Sequence, residues 1–206
     1  MTVIVDYDAG NLHSVARALK EVGLKAQITG DPDKLVRAER IVFPGVGAAG
    51  SAMASLRANG LDEALREAIK KGVPTLGICL GLQISLDYSE ENDTQTLGVI
   101  PGQVRRFQFD HPELKVPHMG WNEVVPVASH PVLAGIEAGD EFYFVHGYFP
   151  EPEDDAHVLA RTEYEHSFAS AVGHDNYVAT QFHPEKSGRV GLRLIEQFAK
   201  WNGNAE

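Results

Sequence analysis

The residue types best suited to chemistry gather around the one cysteine of the chain, in Gly77-Ile78-Cys79-Leu80-Gly81-Leu82-Gln83. A strand-like run, Val73 to Ile78, leads into it, and Ile84, Ser85 and Leu86 read as helix after it. Cys79 therefore falls on a sharp strand-to-helix turn, where Gly77 and Gly81 allow tight bending and close packing. The first free N–H groups of a helix, and its dipole, favour an anion beside them. A sulfur held there at the tip of a sheet is a nucleophile in waiting. A lone cysteine is more often a small core residue, so this chemistry requires a base elsewhere in the chain.

Gln181-Phe182-His183-Pro184-Glu185-Lys186-Ser187 supplies one, between the last strand and the last helix. Pro184 fixes its own φ and pushes His183 into an extended conformation. A carboxylate two residues on, beyond a rigid proline, can be held against the imidazole and orient it, as the third member of a triad does. Asp175, Glu163 and Glu165 could also orient a histidine, but nothing in their local sequence constrains them to. His111, His118 and His146 are rivals to His183 without a strand-end position plus a nearby rigid carboxylate. A third motif, Gly45-Val46-Gly47-Ala48-Ala49-Gly50, fits a dinucleotide fingerprint. It follows the third strand rather than the first, however, and Asp62 and Glu63 lie at a helix start, not at a strand end, so nucleotide binding is disfavoured. The other reading is that this backbone donates N–H groups beside the nucleophile, with glycines permitting close approach to a developing oxyanion.

The elements that must position these groups follow from hydrophobic periodicity. Val3-Ile4-Val5, Ala26 to Thr29, Arg40 to Phe43 (ended by Pro44-Gly45) and the run before Cys79 are strands. Between them, Leu12, Val15, Ala16, Leu19 and Val22, and then Leu61, Ala64, Leu65, Ala68 and Ile69, recur at helical spacing. Asp8 to Asn11 is a loop and Gly30-Asp31-Pro32 a turn. Alternation of this kind predicts an α/β fold, a mostly parallel sheet flanked by helices, with the loops that carry the motifs at its carboxyl edge. Beyond residue 95 strands follow one another: Gln103 to Phe107, Val116 to Val125, Glu141 to Phe149, Val158 to Thr162, Ala169 to Val172 and Val178 to Phe182. This second half is an added antiparallel or mixed region, closed by a helix from Gly188. No repeat or linker divides the chain, so 1–206 reads as a single domain.

Composition narrows the classes. The chain is 43% hydrophobic and 23% charged, ordinary for a globule with a full core. A net charge of −11 argues against nucleic acid as the main partner. One cysteine excludes an intrachain disulfide and suggests a reducing compartment, so a cytoplasmic location is expected. The opening is too soon charged for a signal peptide, and no apolar run is long enough for a membrane span.

The elbow with His183-Pro184-Glu185 resembles the class I (triad) glutamine amidotransferases. Pro44 to Gly47, Pro117-His118-Met119-Gly120-Trp121-Asn122, Tyr143 to His146, the opening Ile4 to Tyr7 and Gly10-Asn11-Leu12 narrow the resemblance to the glutaminase subunits of imidazole glycerol phosphate synthases. It runs essentially end to end. It implies a flavodoxin-like fold, Cys79, His183 and Glu185 as catalytic residues, and an oxyanion held by the backbone of Leu80 and of Val46 or Gly47. It implies L-glutamine bound near Gly47, Gln83, Gly147 and Tyr148. It also implies a (β/α)8 cyclase subunit as heterodimer partner, docked on a face with Asn11, Trp121, Tyr143 and Lys186; in the plainer reading Trp121 and Tyr143 are core aromatics. No metal or organic cofactor is implied. The chain departs from the family pattern at Asp8-Ala9, where Gly-Met is common, and at Gly147, where Ser or Thr is common. Rival functions are another cysteine hydrolase on a similar sheet, such as a γ-glutamyl hydrolase or a peptidase, and a catalytically idle binding subunit.

Overall fold

A computed structural model describes residues 1–8, 10–109 and 115–204. The first half runs β1 (Thr2–Val5), α1 (Leu12–Glu21), β2 (Ala26–Thr29), α2 (Pro32–Val36), β3 (Arg40–Gly45), α3 (Ala49–Ala58), α4 (Leu61–Lys70), β4 (Thr75–Cys79) and α5 (Leu80–Gln83). The second half is mostly strand: β5 (Tyr88–Ser89), β6 (Thr94–Gln95), β7 (Gly102–Arg106), β8 (His118–Glu123), β9 (Val125–Pro126), β10 (Glu141–His146), β11 (Tyr148–Pro152), β12 (Val158–Tyr164), β13 (His166–His174) and β14 (Tyr177–Thr180), before α6 (Gly188–Lys200).

The central sheet has the order β2-β1-β3-β4-β14-β13-β12-β9. Its first five strands are parallel, β14 included, and the last three continue the same sheet antiparallel. Smaller sheets, β10-β8 and β11-β7-β5-β6, flank it. Alternate residues of the parallel strands face opposite layers. Ile4, Val42 and Leu76 pack with Val15 and Leu19 of α1 and with Leu194 and Phe198 of α6. Val3, Val5, Ile41 and Phe43 pack with Leu35, Met53 and Leu65 on the α2–α4 side. Burial on both faces is why these strands read as continuous apolar runs. Each such side chain contributes about 1.5–3 kcal/mol, and together they anchor the sheet whose carboxyl edge carries the cysteine.

Four local expectations need correction. Ile84 to Leu86 are not helical. The carbonyls of Ile84, Ser85 and Leu86 accept from Leu97, Val99 and Gly98, so a neighbouring loop takes the bonds that a further helical turn would use. Gly30-Asp31-Pro32 is not only a turn: Asp31 caps Asp33 N–H and opens α2. Strand β3 does not stop at Phe43. Beyond Val42 it has lost β1 as a neighbour and pairs only with β4 through Gly45, so the missing N–H of Pro44 need not break a central ladder. The run Glu141 to Phe149 is two strands parted at Gly147, β10 pairing with β8 and β11 with β7. Ala9 of the opening loop and His111 lie outside the described residues.

Candidate active site

Three adjacent parallel strands, β3, β4 and β14, end at one edge and deliver the three motifs to it. Gly45 stands opposite Cys79 in register. Thr180 stands opposite Ile78, so Gln181 and His183 emerge beside the cysteine. Cys79 itself adopts φ 55°, ψ −106°. This conformation costs an L-residue about 1–3 kcal/mol, and such strain persists only where packing over-determines it. The glycines contribute close approach rather than the bend. A Cβ on Gly81 would lie 2.0 Å from the Phe43 carbonyl oxygen, and one on Gly45 2.1 Å from Tyr7 Oη.

His183 is buried, and its Nδ1 lies 2.8 Å from Glu185 Oε1, whose side chain is completely buried. Asn11 Nδ2 donates to the same carboxylate oxygen. In the bond to Glu185 the carboxylate accepts, so His183 Nδ1 carries a proton, and Nε2 takes no part in that bond. His183 Nε2 makes no hydrogen bond among the described residues. Burial pulls the His183 pKa down, but the charge of Cys79 and then the bond to Glu185 outweigh it and push it up to about 10. Gln181 Nε2 points at Cys79 Sγ from 3.8 Å, and Gln181 Oε1 accepts from Gln83 Nε2 at 3.2 Å.

A cavity of about 370 Å³ opens onto the sulfur, lined by Val46, Gly47, Leu80, Gln83, Glu91 and the stretch His146-Gly147-Tyr148, with His183 at its side. The expected glutamine contacts Gly47, Gln83, Gly147 and Tyr148 therefore share one wall system. Gln83 Nε2 donates to the Tyr148 carbonyl at 3.0 Å. Leu80 opens a helix of only four residues, so any anion there depends on individual N–H groups rather than on a macrodipole. Gly47, at φ 104°, sits where a side chain would strain the loop.

The residues expected on a docking face separate into two groups. Trp121 is 54% exposed, its ring 6.1 Å from Tyr143 in an edge-on contact, and Lys186 Nζ lies 5.9 Å from the Tyr143 ring. Met119, two residues before Trp121 on the outer face of β8, is 63% exposed. Asn11 differs: it starts α1 without capping it, because its side chain is turned inward to Glu185. The Tyr143 backbone joins the two regions, its carbonyl accepting from His183 N–H at 2.9 Å and its N–H donating to Ser187 Oγ at 3.0 Å.

Sequence reasoning missed Glu91, Gln181 and the inward role of Asn11. Glu91 sits in an acidic loop with no periodicity, and its carboxylate accepts from Ala49 N–H at the start of α3 at 2.8 Å. Burial raises its pKa, and that bond partly offsets the rise. Among the described residues no group of three or more His, Cys, Asp or Glu could hold a metal ion.

Comparison with known proteins identifies the family. The family profile described as glutamine amidotransferase class-I matches residues 3–201. The chain belongs to this family. It is 51% identical to imidazole glycerol phosphate synthase subunit HisH of Desulfovibrio desulfuricans, over 98% of this chain and 94% of that one. It is 47% identical to the HisH subunit of Chromobacterium violaceum, over 98% of each. Among solved structures, PurLQS from Thermotoga maritima superposes with a TM-score of 0.75 at 20% identity, over 97% of both chains. A structure described as a glutamine amidotransferase gives 0.74 at 19% identity, over 96% of this chain and 98% of that one. Those two likenesses bear on the fold, and they share the α/β architecture of this amidotransferase. No described helix is long and apolar enough to cross a membrane.

Proposed function

We propose that this chain is the glutaminase subunit of an imidazole glycerol phosphate synthase, acting as one domain in the cytoplasm. It hydrolyses L-glutamine at Cys79 and passes the ammonia to a (β/α)8 cyclase subunit. The observation that carries this reading is the strained Cys79 elbow facing a histidine–carboxylate pair across a cavity of amino-acid size. The near-complete match to HisH subunits supports the pairing with a synthase.

The chemistry follows from the residues. Cys79 thiolate attacks the side-chain carboxamide carbon, and the new oxyanion takes N–H groups of Leu80 and of Val46 or Gly47. The amide nitrogen leaves as ammonia after His183 transfers its Nε2 proton to it. A water then loses a proton to His183 and attacks the thioester carbon, releasing glutamate and restoring the thiolate. Glu185, steadied by Asn11, holds the imidazole tautomer throughout. Glu91 gives the α-ammonium of glutamine a counter-charge inside the cavity, and Gln83 with the Gly147–Tyr148 backbone supplies polar contacts. The exposed Met119 and Trp121 and the half-buried Tyr143, with Lys186, suit an apolar docking patch edged by a cation.

The peptide between Gly45 and Val46 is also suited to act as a switch, since glycine readily absorbs the ψ change of a flip. With that N–H turned away, one oxyanion donor is missing, at a cost of about 10²–10³ in rate. Glutamate release by the isolated chain, by the complex and by the complex with cyclase ligand tests the whole reading. Low, higher and highest turnover is expected, with ¹⁵N from the glutamine amide appearing in the imidazole product. A complex that releases glutamate but never incorporates that nitrogen would refute the synthase assignment. Equal turnover in all three would leave the loop a fixed oxyanion hole.

A further inference from the structure

Two buried histidines next to the cavity take no part in the chemistry above. His118 on β8 and His146 on β10 stand opposite each other in register and are 3% and 4% exposed. His118 Nδ1 lies 3.0 Å from His146 Nε2, and His146 Nδ1 lies 2.7 Å from the Tyr148 carbonyl oxygen. Asn122 Nδ2 lies 3.3 Å from His118 Nε2.

The proton positions in this chain are determined by its two ends. A carbonyl oxygen only accepts, so His146 carries its proton on Nδ1. A neutral His146 then presents a bare Nε2, which takes the Nδ1 proton of His118. The bare Nε2 of His118 takes the amide proton of Asn122. The Asn122 amide cannot be reversed, because its Oδ1 accepts from Glu123 N–H at 2.8 Å and its Nδ2 also donates to the Glu163 carbonyl at 2.9 Å. The chain is therefore directional: Asn122 to His118 to His146 to Tyr148. Burial pushes His118 down to about 4 and His146 to about 3, so both are neutral near pH 7. Phe144 and Tyr164 stack on His118, and phenyl rings could fill either place without the cost of burying imidazole nitrogens.

What imidazoles add is a hold on the strand that lines the cavity. The His146–Tyr148 bond spans Gly147, the residue with the greatest backbone freedom in that wall. The Gly147 carbonyl is held separately by Phe107 N–H at 3.0 Å. The Tyr148 carbonyl is shared with Gln83 Nε2, which reaches into the cavity. We infer that His146 and His118 are positioning residues, holding the Gly147–Tyr148 backbone in its glutamine-binding shape, with tautomers set by Asn122 on the docking strand. The inference rests on the glutaminase reading.

Two substitutions at one position separate this role from packing. Asparagine offers an N–H at the place of Nδ1 and so keeps the bond to Tyr148; glutamine offers an acceptor at the place of Nε2 and loses it. In the complex with the cyclase subunit, His146→Gln should raise the KM for glutamine about tenfold, the worth of one good hydrogen bond, with kcat within about threefold. His146→Asn should stay within about threefold of the unaltered protein in both constants, a margin below the worth of one hydrogen bond. Packing alone predicts the reverse order, since asparagine leaves the larger void. Equal KM values for the two variants, or a loss confined to kcat, would overturn the inference. An unaltered complex that releases no glutamate would instead refute the functional reading. Ring ¹⁵N shifts of the unaltered protein give an answer independent of the variants: both histidines should be neutral Nδ1–H tautomers at pH 7, and an Nε2–H tautomer at His146 would be decisive against it.

Discussion

His183 and His146 line one cavity and are both buried, yet their imidazoles are pushed in opposite directions. At the carboxyl edge of the parallel strands, His183 meets a sulfur on one side and a carboxylate on the other, and these charges outweigh burial. On the β8–β10 sheet, His146 meets a carbonyl and a second neutral imidazole, and burial prevails. Depth in the protein therefore does not decide a histidine's role; the charge of its partners does. One region raises the pKa of its imidazole and the other keeps its imidazoles neutral.

The most severe way to break the first region is Cys79→Ser. Oxygen has nearly the same volume but a far higher pKa, so glutamine-dependent turnover should fall on the order of 10⁴-fold or more. Synthesis from added ammonia by the complex should survive. Retention of most glutamine-dependent activity would show that Cys79 is not the nucleophile.

Next comes the proton carrier. His183→Ala should cost about 10²–10⁴ in kcat, the range for a lost general acid–base, and Glu185→Gln less, since it only weakens alignment. The double variant should be little worse than His183→Ala, because groups acting as a unit are not additive. Steady-state kinetics of the three variants would expose independent action as multiplied losses.

The docking patch offers a milder test. Trp121→Ala should weaken association with the cyclase subunit about 10–100-fold, as for an aromatic hot spot. The stability of the isolated chain should move by no more than about 0.5 kcal/mol, because the ring is largely exposed. Titration calorimetry with thermal melts separates the two, and unchanged affinity would remove Trp121 from the interface.

The smallest effect distinguishes the two histidine regions by the sign of their pH dependence. His183 is raised from an ordinary value of 6.5 to about 10. Its stabilising contribution is complete below about pH 6.5 and is lost as pH climbs towards 10. His118 and His146 are depressed from 6.5 to about 4 and 3. Their neutral forms favour the fold above about pH 6.5, and that benefit is lost as pH falls towards 4 and 3. Denaturant midpoints across pH should show both limbs, and Cys79→Ser should flatten the alkaline limb alone. An alkaline limb unchanged by that substitution would mean that the sulfur does not raise His183.

Most of the parallel half was legible in the sequence because β1, β3 and β4 are buried on both faces and α1 and α4 each carry one apolar stripe; α2 and α3 had no such stripe to mark them. Cys79 and the His183–Glu185 pair were legible because glycine and proline announce sharp, rigid backbone beside them. The shortness of α5 was not legible, since the loop bonds that end its helical hydrogen bonding come from residues 12–15 positions further on. Nor was the break at Gly147, where one apolar run serves two sheets. Glu91 has no local pattern to mark it, and only folding brings it to the cavity.

Local sequence by itself determined the strand–helix alternation, the sharp turn at Cys79 and the carboxylate beside His183, because each depends on backbone preference within a few residues. Tertiary structure alone decided which histidine faces the sulfur, why Asn11 turns inward across 174 positions of chain to Glu185, and how His118 and His146 share protons. Those outcomes depend on long-range register, and on whether a buried group finds a charge or a neutral neighbour, which no spacing along the chain encodes.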